Sequence, residues 1–401
     1  MRIHFTTAGE SHGRALVAVL EGIPAGLTLA AADIDSDLAR RMKGYGRGAR
    51  MKIESDAVQI VAGVRAGETL GSPIALLIEN LDFEHWRDVM AAEPSSEPQR
   101  RRLTRPRPGH ADLAGTLKYD RSDARDVLER ASARETAARV AAGAVCRRLL
   151  AEFGVEIGSH VLALGGVVAR APEPLPVPLN AAADRSAVRC LDAEAERAMI
   201  ARIDAAKEAG DTLGGLVEVV ARQVVVGVGS HVSWDRRLDG RLAAALMSIP
   251  AVKGVEIGAG FAVAGGPGSA AHDELARLEG EAGARTGGFG RRTNRAGGVE
   301  GGITTGEPVV AHVAMKPLST LMAPLRSVDL ESGRSAAAQS ERSDVTAVPA
   351  LGVIAEAAVA LTLADAYAEK FGGDSLGEMR RNYDAYLDRL RRRRDGWAAV
   401  D

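Results

Sequence analysis

Aromatic side chains make up only 3% of this 401-residue chain, so its core must be built from Ala, Val, Leu and Ile. The same scarcity counts against a single-stranded nucleic-acid surface, which relies on aromatic platforms for base stacking. Lysine is nearly as scarce: 7 of the 51 basic residues are Lys and 44 are Arg. Arginine is the better bidentate partner for phosphate and carboxylate, so its clusters are the places to search for an anion site. Excess charge of either sign is missing too. The net charge is -2 and the pI about 6.5, so no global field draws the chain to nucleic acid or to a membrane surface. Only two cysteines occur, Cys146 and Cys190, with neither CxxC nor metal-ligand spacing. A reduced, cytoplasmic protein is expected. Residues 1–9 hold no long apolar run and do not read as a signal peptide. The most apolar stretch, 345–368, carries Glu356 and Asp365, which predicts a buried helix rather than a membrane span.

The common nucleotide motifs are missing as well. Gly258-Ala259-Gly260 is followed by Val263 where GxGxxG needs glycine, and GxxxxGK[ST], HExxH and GxSxG do not occur. A Rossmann or P-loop enzyme is therefore disfavoured. What is present is ordinary globular composition, 46% hydrophobic and 26% charged. The length allows two or three domains of roughly 150 residues, or one large layered domain.

Periodicity predicts strands near Ile3–Phe5 and Leu16–Leu20, at 58–64 and 74–78, a long one over 213–228, and one over 309–315. Helices are expected over 33–41, 123–153, 239–247, 347–370 and 375–394. Strands and helices alternate without a steady βαβ rhythm, which favours α+β with antiparallel sheet. Residues 84–107 are polar and read as an exposed insertion, and the four prolines of 171–180 read as a surface excursion. Residues 280–302 hold nine glycines and four arginines and read as a mobile loop beside an anionic ligand.

Five segments can carry chemistry. Gly9-Glu10-Ser11-His12-Gly13 places Ser and His after a strand between glycines; alone it fits a solvated turn as well as a site. Arg105-Pro106-Arg107-Pro108-Gly109-His110-Ala111-Asp112 is a proline-stiffened loop able to aim a histidine as acid or base, or a plain surface loop. In the expected helix 123–153, Arg130 and Arg134 fall four apart on one face, with Ser132 and Arg139 nearby. That is either an anion clamp or a solvated face tied by pairs such as Glu135–Arg139. Lys316-Pro317-Leu318-Ser319-Thr320 follows a strand and resembles a phosphate cradle. Asp344, after Arg342-Ser343, is a poised base or a helix cap.

Taken together, these segments resemble the chorismate synthase family in order and nearly in full text. The matches at 9–26, 129–143 and 342–358 correspond to three long family motifs. Gly44-Tyr45-Gly46-Arg47-Gly48, 253–258, 294–302 and 370–374 match as well. The resemblance implies one large α+β domain over 1–375, with helices sandwiched between antiparallel sheets, followed by a helical tail over 376–401. It implies anti-1,4 elimination of phosphate from 5-enolpyruvylshikimate 3-phosphate, giving chorismate. The reaction uses reduced FMN without net redox change, in a cytoplasmic homotetramer, with NADPH as the reductant in some members.

Residue by residue, the resemblance makes His12 the acid toward departing phosphate and His110 the proton donor to flavin. Asp344 assists proton removal, and Ser11 and Ser132 position the relay. Arg130, Ala131, Ser132, Pro250, Ala251, Gly301, Lys316, Pro317, Leu318, Ser319, Thr320 and Arg342 become flavin-binding positions. Arg41, Arg47 and Arg134 become substrate- or NADP-binding positions. Three residues depart from the family pattern: Pro250 for a usual polar residue, Thr305 for Asn, and Leu351 for a smaller one. An RNA- or anion-binding module using the same arginines is the rival from another class; net charge and aromatic scarcity disfavour it.

Overall fold

Alternating apolar residues give each main strand one dry face, and two antiparallel sheets result. The computed structural model describes residues 2–48, 54–94, 101–278, 280–340 and 344–398. The first sheet contains β1 (His4–Ala8), β2 (Ala15–Glu21), β3 (Val58–Ala62) and β4 (Ile74–Glu79), in the order β1-β2-β4-β3. Leu16, Ala18 and Leu20 lie opposite Ile78, Leu76 and Ile74, and all six are buried. The second sheet contains β5 (Glu156–Leu164), β6 (Val167–Val168), β7 (Gly215–Arg222), β8 (Val252–Ile257) and β9 (Val309–Met315), in the order β8-β9-β7-β5-β6. Val309, Ala311, Val313 and Met315 form its dry stripe on β9. The expected long strand over 213–228 stops at Arg222. Gln223 takes a left-handed φ of 61°, which ends the pleat.

Helices fill the space between the sheets. The helices of the chain include α1 (Ala31–Met42), α2 (Asp112–Tyr119), α3 (Arg125–Ala131), α4 (Thr136–Ala151), α5 (Leu238–Met247), α6 (Val348–Phe371) and α7 (Leu376–Ala398), of which α4 and α6 form the layer between the sheets. Helix α4 packs on β2 and β4, α6 packs on β5 and β7, and the two helices pack on each other. This is the expected sandwich. At the α4–α6 crossing, a Cβ on Gly143 would meet Ala357 Cβ at 2.4 Å, so the close approach requires glycine there. Small residues on both helices replace the aromatic filling that this composition lacks. Helix α7 packs Met379, Tyr383, Leu387 and Leu390 onto the body.

Helix α6 is long and apolar enough to cross a membrane, but 94% of its apolar window is buried inside the protein. A helix that is apolar all round belongs in a core. Of its two buried acids, Asp365 accepts from Arg241 and the Ile3 N–H, and Glu356 accepts hydrogen bonds from Arg40 (2.9 and 3.0 Å), Arg189 (3.0 Å) and Arg147. Burial pushes this carboxyl up, but the three guanidinium charges outweigh burial and hold it well below the usual carboxylate range.

The single helix expected over 123–153 is broken. Helix α3 ends at Ala131, Ser132 is extended (φ -65°, ψ 142°), a short 3-10 turn spans Ala133–Glu135, and α4 begins at Thr136. The Ser132 hydroxyl accepts the Arg134 N–H at 3.3 Å, capping the new turn. Arg130 and Arg134 therefore do not share a helix face.

Candidate active site

A cavity of about 510 Å³ opens where the His12 turn, the end of α3, the 107–111 loop, the 316–320 turn and the start of α6 converge. That volume lies within the roughly 300–1,000 Å³ typical of small-molecule sites.

His12 is held by its backbone and by one ring nitrogen. Gly9 makes the turn after β1 with φ 107°, where a Cβ would strike Ala15 O at 2.3 Å. Because α3 stops early, the Glu129 carbonyl is free of helix bonding and accepts the Ser11 N–H at 2.9 Å. The Glu129 carboxylate accepts the His12 N–H at 2.9 Å and faces Nδ1 with both oxygens, at 3.0 and 2.9 Å. A carboxylate on Nδ1 fixes the proton there and leaves Nε2 for other chemistry. Burial pushes the Glu129 carboxyl up, but the His12 hydrogen bonds and the Arg125 charge outweigh it, so its pKa is lowered. Arg125 also donates to Glu129 at 2.8 Å.

His110 repeats the device on a local scale. Its Nδ1 meets Asp112 Oδ1 at 2.5 Å, and Arg107 grips the same carboxylate through Nε at 2.8 Å and Nη2 at 3.1 Å. Burial pushes Asp112 up, yet the hydrogen bonds from His110 and Arg107 win and leave it well below the usual carboxylate range. Arg107 Nη1 donates to Thr320 at 2.7 Å, while Lys316 Nζ and Ser319 Oγ donate to the Gly109 carbonyl. The proline-stiffened loop and the 316–320 turn thus form one wall. Burial, with Lys253 nearby, pushes the Lys316 ammonium down.

The opposite wall is cationic. Arg41 is buried, donating to Thr136 (3.0 Å), Asp56 (3.3 Å) and the Ala133 carbonyl (3.1 Å). Burial pushes its guanidinium down to about 9; Asp56 opposes this, and the charges of Arg47 and Arg134 add to it. It remains a cation at neutral pH, paired with Asp56 and lining the cavity beside Arg47. Arg47 pairs with Asp344 at 3.1 Å, and Asp344 also accepts the Gly48 N–H at 2.6 Å. Asp344 is not a helix cap: α6 starts at Val348 behind Ala347 with no side-chain cap.

The expected site residues divide cleanly. Ser11, His12, His110, Ser132, Asp344, Arg41, Arg47, Ala131, Pro250, Ala251, Lys316, Leu318, Ser319 and Thr320 all line the cavity. Ser132 donates to Ser11 at 3.2 Å. Pro317 sits within the lining turn without itself facing the space. Ala251 holds a left-handed φ of 70°, and its carbonyl accepts the Lys316 N–H at 3.0 Å, joining β8 to that turn.

Three residues are placed elsewhere. Arg130 donates to Thr7 O (2.9 Å) and Gly9 O (3.1 Å). Arg134 is buried behind Arg41 against Asp56, Glu54 and Asn80. Gly301 turns the Val299–Glu300/Ile303–Thr304 hairpin, away from the cavity lining. Arg342 lies outside the described residues. In the glycine-rich segment 280–302, Arg291 pairs with Glu300 and Arg292 with Glu274, and none of its described residues lines the cavity. Of the three departures, Thr305 and Leu351 are buried in the body and only Pro250 reaches the site.

The 84–107 stretch is not exposed throughout, as an insertion was expected to be. Leu103 and Arg107 are buried, and Trp86 stacks on His12 with ring centroids 3.9 Å apart. Four working residues went unassigned in the sequence: Glu129, Asp112, Arg107 and Trp86. Asp112, two residues after a histidine, was the one with a local signal.

The comparisons with known proteins agree with this geometry. The family model described as chorismate synthase matches residues 3–368. A chorismate synthase of Moorella thermoacetica is 57% identical over 97% of this chain and 99% of its own. One from Symbiobacterium thermophilum is 55% identical over 98% and 100%. A solved structure titled as chorismate synthase superposes with a TM-score of 0.78 at 41% identity, covering 98% of this chain and 99% of that one. By family model, relatives and fold alike, the chain belongs to the chorismate synthase family.

Proposed function

We propose that this cavity is where the chain carries out its family's reaction, eliminating phosphate from 5-enolpyruvylshikimate 3-phosphate to give chorismate. One observation carries the assignment: two histidines, each with a carboxylate on Nδ1, border one cavity with a cationic wall. In the reaction a carbon-bound proton leaves, the C–O bond to phosphate breaks, and the departing phosphate takes up a proton. Arg41 and Arg47 hold the phosphate by charge. His12 supplies its proton from Nε2, with Glu129 fixing the ring. Asp344 accepts a proton, Arg47 keeping its carboxylate in place, and His110 exchanges one with the cofactor. Ser11 and Ser132 link these groups.

The family requires a reduced flavin, and the residues present suit FMN. The cavity is of cofactor size, and Lys316, Ser319 and Thr320 set hydroxyl and ammonium donors in one turn beside Arg107. When bound, reduced FMN supplies transient electron density that it recovers by the end of each turnover. The protein acts in the cytoplasm as a homotetramer. Two free, buried cysteines support the first reading, and exposed Phe261 and Leu275 support the second.

The test is anaerobic turnover with chemically reduced FMN. Phosphate release should run for many cycles on one charge of flavin, and parallel samples with oxidised FMN and NADPH show whether the chain reduces its own cofactor. One flavin oxidised per product would overturn the elimination.

A further inference from the structure

We propose that Trp86 is a positioning residue for His12, closing the face of the imidazole that the Glu129 carboxylate cannot control. The inference rests on the reading of His12 as the acid. Hydrogen bonding from Nδ1 fixes one corner of the ring but leaves it free to twist about that bond. The Trp86 indole removes this freedom: it stacks on the imidazole at 3.9 Å with 26° between planes. The indole is itself pinned, since its Nε1 donates to Asp82 at 3.1 Å and its backbone N–H to the Phe83 carbonyl at 2.8 Å.

Two guanidiniums approach the same indole, Arg101 at 4.1 Å and Arg125 at 4.9 Å from the ring centroid. Such contacts hold an aromatic plane in place. Arg125 also donates to Glu129 at 2.8 Å, so one arginine touches both parts that grip His12.

A packing role does not account for the residue. Trp86 is half-buried and is not part of the hydrophobic core, while its neighbours Glu84 and Arg87 are exposed. In a chain with three tryptophans, this one has a histidine and two arginines for company. Small displacements of a catalytic group cost rate far more than binding.

The test uses full-length enzyme with reduced FMN. Trp86→Leu should lower kcat by about 10–100-fold, the scale of an ångström-size misplacement, with KM changed little. Trp86→Phe, which keeps a flat ring, should recover most of the loss. A purely structural role predicts instead that Leu and Phe lower melting temperature alike and leave the kcat of folded enzyme intact.

A second measurement reads the contact without catalysis. With Trp234 and Trp397 replaced by Phe, emission comes from Trp86 alone. The His12 ring covers one face of that indole, so His12→Ala should shift its emission to the red and raise its quenching by acrylamide. Parent kcat in Trp86→Leu, or emission and quenching unchanged by His12→Ala, overturns the proposal. If Trp86→Leu does not fold, Trp86→Phe and the emission comparison decide. Should His12→Ala keep parent turnover, it is the acid assignment that fails, and the emission comparison still reports the stacking.

Discussion

Replacing Glu129 by Gln should lower turnover by about 10²–10⁴-fold, the usual worth of a positioned acid or base. The magnitude follows from counting donors. Oε2 accepts the His12 backbone N–H and faces Nδ1, both at 2.9 Å; Oε1 faces Nδ1 at 3.0 Å and accepts Arg125 at 2.8 Å. Three donors thus share two buried oxygens. Glutamine offers one oxygen and one amide nitrogen. With its oxygen in the Oε2 place, its NH₂ confronts the Arg125 guanidinium, donor against donor. Turned over, its NH₂ confronts the His12 N–H and Nδ1, and the ring must take the other tautomer. Either arrangement leaves a buried donor without an acceptor, worth about 1–3 kcal/mol of stability. The tautomer change alone is severe: a like carboxylate-to-amide change beside a serine-protease histidine lowers kcat about 10⁴-fold.

The assay is phosphate release from parent and variant with reduced FMN, with flavin affinity by titration and stability by urea. Flavin affinity should hold, because Glu129 does not line the cavity. A variant that turns over within about threefold of the parent, far short of the acid–base range, would show that Glu129 is scaffolding and that Nδ1 needs no carboxylate.

Two further outcomes are expected. Asp344→Asn should lose roughly 10²–10⁴-fold in turnover and lower the melting temperature only modestly, since an amide still accepts the Gly48 N–H but loses the pair with Arg47 and takes up no proton; equal turnover removes Asp344 from the chemistry. Asp112, Glu129 and Glu356 have carboxyls lowered in the folded protein, as does Glu218, to about 2, where hydrogen bonds to His160 and His312 outweigh burial; their stabilisation is complete above the unfolded value near pH 4 and lost as pH falls through the folded values. Urea midpoints should therefore drop steeply between about pH 4 and 2, and a flat profile there would contradict the buried ion pairs.

Much of the scaffold was legible because its signals are local. Strand β9 falls at the residues its alternation marks, and α6 follows its continuous apolar run. Helix α1 extends the expected 33–41 by only a few residues. The break at Ser132 was not legible. Ala, Arg and Glu continue across it with high helix propensity, and what ends α3 is tertiary: Glu129 and its carbonyl are taken by the His12 turn. Trp86 was hidden for a related reason, sitting in a polar run that reads as insertion until its partner is known. Gly301 and Arg134 were carried by text alone, and the fold sets them on a hairpin and in a buried ion pair.

The two histidines show why some of a site can be read and some cannot. His110 finds its carboxylate two residues on, inside one stiffened loop, and Arg107 in the same loop completes the grip. Such a unit depends on local backbone and is written in the sequence. His12 finds its carboxylate 117 residues away. That meeting needs β1 to end at Ala8 with the turn at Gly9, the helix to stop at Ala131, and the freed carbonyl of Glu129 to dock Ser11. The irregularity that defeated helix prediction is thus the one that aims His12. It lets α3 hold Glu129 against His12, brings Ala131 and Ser132 to the cavity corner, and lets α4 start afresh toward the core. Continuing the helix through Ser132 would return the Glu129 carbonyl to helix bonding and withdraw the acceptor from the Ser11–His12 turn. Orientation of the proposed acid is therefore a property of the assembled sheet–helix contact, whereas orientation of His110 is a property of its loop.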